Sequence, residues 1–85
     1  MTQKLLLVDD EFEIIDINRR YLEQAGYEVS VAADGIEALK EVDENRFDLI
    51  ISDIMMPKMD GYDFISEVLV REPNQPFLFI TCLLY

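Results

Sequence analysis

The chain contains no histidine. That absence excludes Ser-His-Asp and Cys-His chemistry, and His-based zinc sites, within these residues. Its single cysteine, Cys82, cannot form an internal disulfide and gives no hint of a secreted framework. Bases are scarce: seven Lys and Arg stand against eighteen Asp and Glu, for a formal charge of -11. A general nucleic-acid or anionic-membrane binder needs clustered Lys and Arg, so neither direct nucleic acid binding nor membrane binding is expected. Such acidity suits a cation site or a basic protein partner. Long apolar runs are missing too. Leu5 to Val8 ends in two aspartates and is shorter than the apolar core of a secretory signal. Pro76 to Tyr85, the longest uncharged apolar-rich stretch, is about half of what a membrane-spanning helix needs. The chain therefore reads as soluble and cytoplasmic.

What is present is enough for one domain. The 85 residues are 51% apolar, too many for intrinsic disorder even at this charge. A chain this short buries only roughly 60–65% of the surface its unfolded form exposes, so its core is expected to be marginal.

Hydrophobic pattern and turn residues divide the sequence into alternating strands and helices. Leu5 to Val8 is a continuous apolar run, as in a strand covered on both faces. From Phe12 to Ala25 the pattern is helical. Ile15, Leu22 and Ala25 share a face with Phe12, and Ile14, Ile17 and Tyr21 widen it. Gly26 stands just past the expected helix end. Tyr27, Val29 and Val31 alternate with polar residues as a second strand. Asp34 with Glu37 resembles a capping box opening a helix over Ile36, Leu39 and Val42. Leu49 to Ile51 is a third strand running into Ser52 and Asp53. Asp60 caps a helix whose apolar face is Ile65, Val68 and Leu69, with Tyr62 and Phe64 flanking and Pro73 stopping it. Phe77 to Ile80 is a fourth strand. The order βαβαβαβ, with connections too long for hairpins, predicts an α/β fold with a parallel sheet and helices on its faces.

In an open parallel sheet, ligands sit at the carboxyl ends of the strands. Those ends carry Asp9 and Asp10, then Asp53, then Thr81. One Asp after a strand is ordinarily a cap or turn residue. Three carboxylates brought together would repel and raise one another's pKa, a penalty that a bound divalent cation removes. An all-oxygen donor set suits Mg2+, which keeps several waters and takes one or two carboxylates plus phosphate oxygens. No EF-hand loop is present for Ca2+, and no Gly-rich Lys-Ser/Thr loop for a P-loop NTPase.

These residues resemble the receiver domain of two-component response regulators, of the kind found in chemotaxis regulators. The resemblance rests on Leu5-Leu6-Leu7-Val8-Asp9-Asp10-Glu11, on Asp53-Ile54-Met55-Met56-Pro57-Lys58-Met59-Asp60-Gly61, and on Thr81. It implies a flavodoxin-like, doubly wound parallel sheet. It also implies that Asp53 is the phosphoacceptor, served by a histidine kinase or phosphotransfer protein. Mg2+ would be held by Asp10, by Asp9 mainly through a water, by Asp53 and by the backbone carbonyl of Met55. Thr81 would be the switch hydroxyl that turns toward the phosphoryl group. Such a domain is no free-standing enzyme; it promotes its own phosphorylation and dephosphorylation. Aspartate-based phosphatases place a second Asp two residues after the nucleophile, where this chain has Met55.

Compared with that family, residues 1–85 read as a truncated receiver: an incomplete βαβαβαβ form without the last helix-strand-helix segment and its lysine. The expected consequence is an exposed fourth strand, Phe77 to Thr81, and a homodimer built on it with the tail Cys82 to Tyr85. The alternative function is accordingly a switching-impaired dimerisation or interaction module. Met55, Met56 and Met59 read as loop packing, Lys58 as a solvated loop charge, and Cys82 as a small core residue. For Tyr62 and Tyr85, packing is the default.

Overall fold

The computed structural model describes residues 2–56 and 58–80. Pro57, Thr81, Cys82 and Tyr85 therefore lie outside the described residues, as does the tail expected at the dimer contact. Seven elements follow in order: β1 (Lys4–Val8), α1 (Phe12–Gln24), β2 (Glu28–Ala32), α2 (Gly35–Glu44), β3 (Leu49–Asp53), α3 (Gly61–Arg71) and β4 (Phe77–Ile80). All the expected elements form, with ends shifted by a residue or two.

The local chemistry at the helix ends explains several boundaries. Tyr27 N–H donates to the Leu22 carbonyl and Gly26 N–H to that of Glu23, the pattern that closes a helix through a left-handed residue. Gly26 supplies that conformation, with φ +101°. Asp34 caps α2 by accepting from Glu37 N–H at 2.8 Å. Asp60 caps α3 by accepting from Asp63 N–H at 2.9 Å. Each side chain satisfies an N–H that the helix itself cannot.

The strands form one parallel sheet in the order β2-β1-β3-β4. The described sheet has β2 and β4 at its edges, as expected for the fourth strand. Alternation along the strands sorts their side chains between two faces. Leu6, Val8, Ala32 and Ile50 join Ala38 of α2 and Phe64, Ile65 and Val68 of α3 in the main core. Leu5 and Leu7 face the other way, where α1 supplies the buried Ile15.

Two expectations about helix faces need correction. Phe64, taken from the pattern as a flanking residue, is among the fully buried side chains at the centre of the core. The broad apolar face read for α1 is mostly exposed: Ile15 is buried, whereas Phe12, Ile17 and Tyr21 are not. Apolar spacing identifies which side chains can be buried together. It does not supply the neighbour that covers them.

Candidate phosphoacceptor and metal site

The strand register builds the site. Val8 of β1 lies opposite Ser52 of β3. One step further along each chain, Asp9 and Asp53 are therefore neighbours, and Asp10 follows at the turn into α1. Carboxylate oxygens of Asp9, Asp10 and Asp53 all lie within 4.8 Å of one another. Three residues from two strands thus meet as expected. Thr81, the fourth, is outside the described residues, although β4 runs beside β3 with Ile80 opposite Asp53.

The three carboxylates have different surroundings. Asp10 is exposed and Asp53 is half-buried, whereas Asp9 is only 7% exposed. Asp9 borders a small, mostly apolar space lined by Leu7, Ile14, Ile15, Ile51 and Ile80, with Asn18 as its other polar neighbour. Burial in those apolar surroundings pushes its pKa up, and repulsion from Asp53, Asp10 and Glu11 adds to the shift. A hydrogen bond from Glu11 N–H at 2.9 Å works against it. Both burial and like charge disfavour ionised Asp9. A hard divalent cation would relieve that cost, so the all-oxygen donor set fits Mg2+.

The segment after Asp53 is held by close backbone approach. Met55 N–H donates to Asp53 Oδ1 at 3.2 Å, and Gly61 N–H donates to the Ile54 carbonyl at 2.7 Å. A Cβ on Gly61 would collide with the Asp53 carbonyl oxygen and stand 2.8 Å from Ile54 Cα. Only glycine lets α3 start this close to the end of β3. Ser52, one residue earlier, is fully buried on the opposite face of the strand and donates through Oγ to the Asp53 carbonyl at 2.9 Å.

The pattern of residues matches the family described as the response regulator receiver domain over residues 5–83. The chain belongs to that family. It is 40% identical over 81 residues to the alkaline phosphatase synthesis transcriptional regulatory protein PhoP of Bacillus subtilis, covering 95% of this chain and 34% of that protein. Among solved structures, the Vibrio cholerae chemotaxis protein CheY4 superposes with a TM-score of 0.94 at 40% identity, covering 100% of this chain and 72% of that one. The response regulator TrrA of Thermotoga maritima, solved in complex with Mg2+-BeF, gives a TM-score of 0.92 at 32% identity, covering 96% of this chain and 71% of that one. This receiver domain spans about a third of the length of the curated relatives it matches. No described helix is long and apolar enough to cross a membrane.

One residue near the site has a partner that sequence reasoning did not find. Lys58, read as a solvated loop charge, does expose much of its side chain, yet its Nζ lies 3.5 Å from Asp34 Oδ2. The partners are distant in sequence and obey no helical or strand period. The one local signal for Lys58 is position, as the only base in the loop that follows Asp53, and position alone does not name the partner.

Proposed function

We propose that this receiver is the phosphoacceptor module of a two-component phosphorelay, accepting a phosphoryl group on Asp53 from a histidine kinase or phosphotransfer protein. The observation that carries the reading is the meeting of Asp9, Asp10 and Asp53 at the carboxyl ends of adjacent strands. A carboxylate oxygen of Asp53 forms the new bond to phosphorus as the donor's bond to phosphorus breaks, leaving an acyl phosphate on the protein. Water attack on that acyl phosphate restores the carboxylate, so the domain promotes both its own phosphorylation and its own dephosphorylation.

Asp9, Asp10, Asp53 and the Met55 carbonyl would hold Mg2+. When bound, that ion offsets the charge of the carboxylate and the incoming phosphoryl oxygens. The protein's own contribution is placement. Paired strands fix Asp9 beside Asp53, and the Met55 N–H holds one Asp53 oxygen. A second phosphoryl contact is assigned to the Thr81 hydroxyl, which would couple the modification to backbone movement. The alternative of a non-switching assembly module is not favoured by the relatives.

The test is direct. Acetyl phosphate with Mg2+ should add one phosphoryl mass to the chain, and hydroxylamine should remove it. Asp53→Asn should abolish the adduct. Unchanged phosphorylation of that variant, or a modified Ser or Thr, would refute the assignment.

A further inference from the structure

Between Asp53 and Gly61 the chain crosses from the end of β3 to the start of α3. Its first part is tied to β3 through the Met55 N–H and the Ile54 carbonyl. Its second part is tied to α2 instead. Lys58 Nζ reaches Asp34, the residue that caps α2. Met59 lies directly over Gly35, the first residue of α2. A Cβ on Gly35 would stand 2.9 Å from Met59 Cβ, 3.0 Å from its Cγ and 3.1 Å from its Sδ. Lys58 adopts φ +70°, a conformation that is uncommon for a residue with a side chain and carries a cost. Met56 and Met59 pack against the main core, whereas the Met55 side chain is exposed. Packing of its own side chain therefore does not locate Met55. The ties on either side of it do.

We infer that Lys58, Asp34, Gly35 and Met59 form a latch that fixes the loop after Asp53 to the start of α2, and thereby positions the Met55 carbonyl for a divalent cation. These are positioning residues, and the cation arm of the inference rests on the metal reading given above. The latch has two parts of different chemistry. The ion pair is attractive, and the Met59–Gly35 contact is steric. Asp34 is drawn below the usual carboxylate range by the Glu37 N–H first and by Lys58 second, so it remains charged for the pair at neutral pH.

A latch and a simple electrostatic effect make opposite predictions at Lys58. If its charge acted only through the field, removing it would tighten cation binding by relieving repulsion. If Lys58 holds the loop, removing it weakens binding. Asp34→Asn keeps a good capping oxygen for α2 while breaking the ion pair. Gly35→Ala changes no charge, and alanine is the better helix former. It acts solely by pushing Met59 off its seat.

The experiment uses the full chain, titrated with MgCl2 and followed by amide NMR, together with amide hydrogen exchange without metal. Lys58→Gln, Asp34→Asn and Gly35→Ala should each weaken Mg2+ binding about two- to fivefold, the range open to an exposed ion pair or a small loop displacement. Each should also speed exchange at Ile54, Met55, Met56 and Lys58 while leaving the sheet amides unchanged. The Lys58→Gln/Asp34→Asn double variant should be no weaker than its weaker parent, since both break one contact. Tighter Mg2+ binding in Lys58→Gln with no change in Gly35→Ala would overturn the latch. If the unsubstituted chain binds no Mg2+, the metal reading fails, and exchange alone decides the latch: faster loop exchange in the variants upholds it, unchanged exchange overturns it.

Discussion

The two faces of the sheet are made from the same strands and are finished differently. On one face, α2 and α3 cover Leu6, Val8, Ala32 and Ile50, and Phe64 and Val68 are sealed from solvent. On the other, α1 covers Leu5 and Leu7 near the centre, while Val31 on β2 and Leu78 and Ile80 on β4 stay exposed, Leu78 by 56%. Phe12, Ile17 and Tyr21 add apolar surface on α1 itself. Composition does not distinguish the faces, since both are built from Leu, Val and Ile. The difference lies in how many helices cover each, and it separates a closed core from a face left partly open. The site stands where the faces meet at one end. Asp9 lies under α1, and the loop after Asp53 leans on α2.

The two faces should differ most in the stability they carry. Phe64→Ala should cost about 3–5 kcal/mol, as for a large side chain removed from a closed core. That is a large share of the total for a small domain, so urea unfolding should lose most of its cooperative transition. Ile17→Ala, on the outer side of α1, should change stability by no more than about 0.5 kcal/mol. Similar losses for the two substitutions would show that the α1 face is covered in solution.

The next effect concerns what the open face does. In the described sheet β4 is an edge, and Phe77 to Ile80 has no charge or proline to block pairing. Such an edge templates association with another chain. We propose that residues 1–85, taken alone, self-associate through this edge, most simply as a two-fold dimer. The charge of -11 opposes this, so moderate salt should strengthen association by screening. Leu78→Lys should reduce it. Sedimentation equilibrium decides: a monomer at micromolar concentration in moderate salt would refute this association.

Much of this was legible in the sequence, and the gaps have physical reasons. Gly26, Asp34 and Asp60 marked helix ends because turn and cap chemistry is local. Asp9, Asp10 and Asp53 could be brought together because parallel strands place their carboxyl ends at one edge. The resemblance gave Asp9 and Asp10 different roles toward the metal, but nothing local in the sequence said which of them would be buried. The residues are adjacent and chemically identical, and the turn after β1 decides that the first is buried and the second is not. Nor did periodicity reveal Lys58 against Asp34, because that contact joins two loop ends through the tertiary fold. Phe64 was misjudged as peripheral because a helical wheel ranks directions and not depths.

The smallest effect lies in two carboxylates, one on each side of the sheet, whose shifts have opposite signs. Asp34, at the start of α2, is drawn below the ordinary carboxylate range by the Glu37 N–H and then by Lys58. Its ionised form stabilises the fold. That contribution is present above the ordinary value and is lost as pH falls through the lowered one. Asp9, under α1, is raised by burial and then by its acidic neighbours. Its protonated form is the better tolerated one, so its contribution is present below the ordinary value and is lost as pH rises through the raised one. Without metal, Asp9→Asn should therefore stabilise the chain at neutral pH, because the amide keeps an acceptor for Glu11 N–H and sheds the charge. The gain should vanish in acid, once Asp9 is protonated in both states. Asp34→Asn should do the reverse, weakening the fold at neutral pH and matching the unsubstituted chain in acid. Urea midpoints across the carboxylate range measure both. Adding Mg2+ should erase the advantage of Asp9→Asn, since the cation rewards the charge that the substitution removes, and protons should compete with Mg2+ as Asp9 titrates. An Asp9→Asn variant less stable than the unsubstituted chain at neutral pH without metal would show that the hydrogen bond to Glu11 outweighs burial and repulsion.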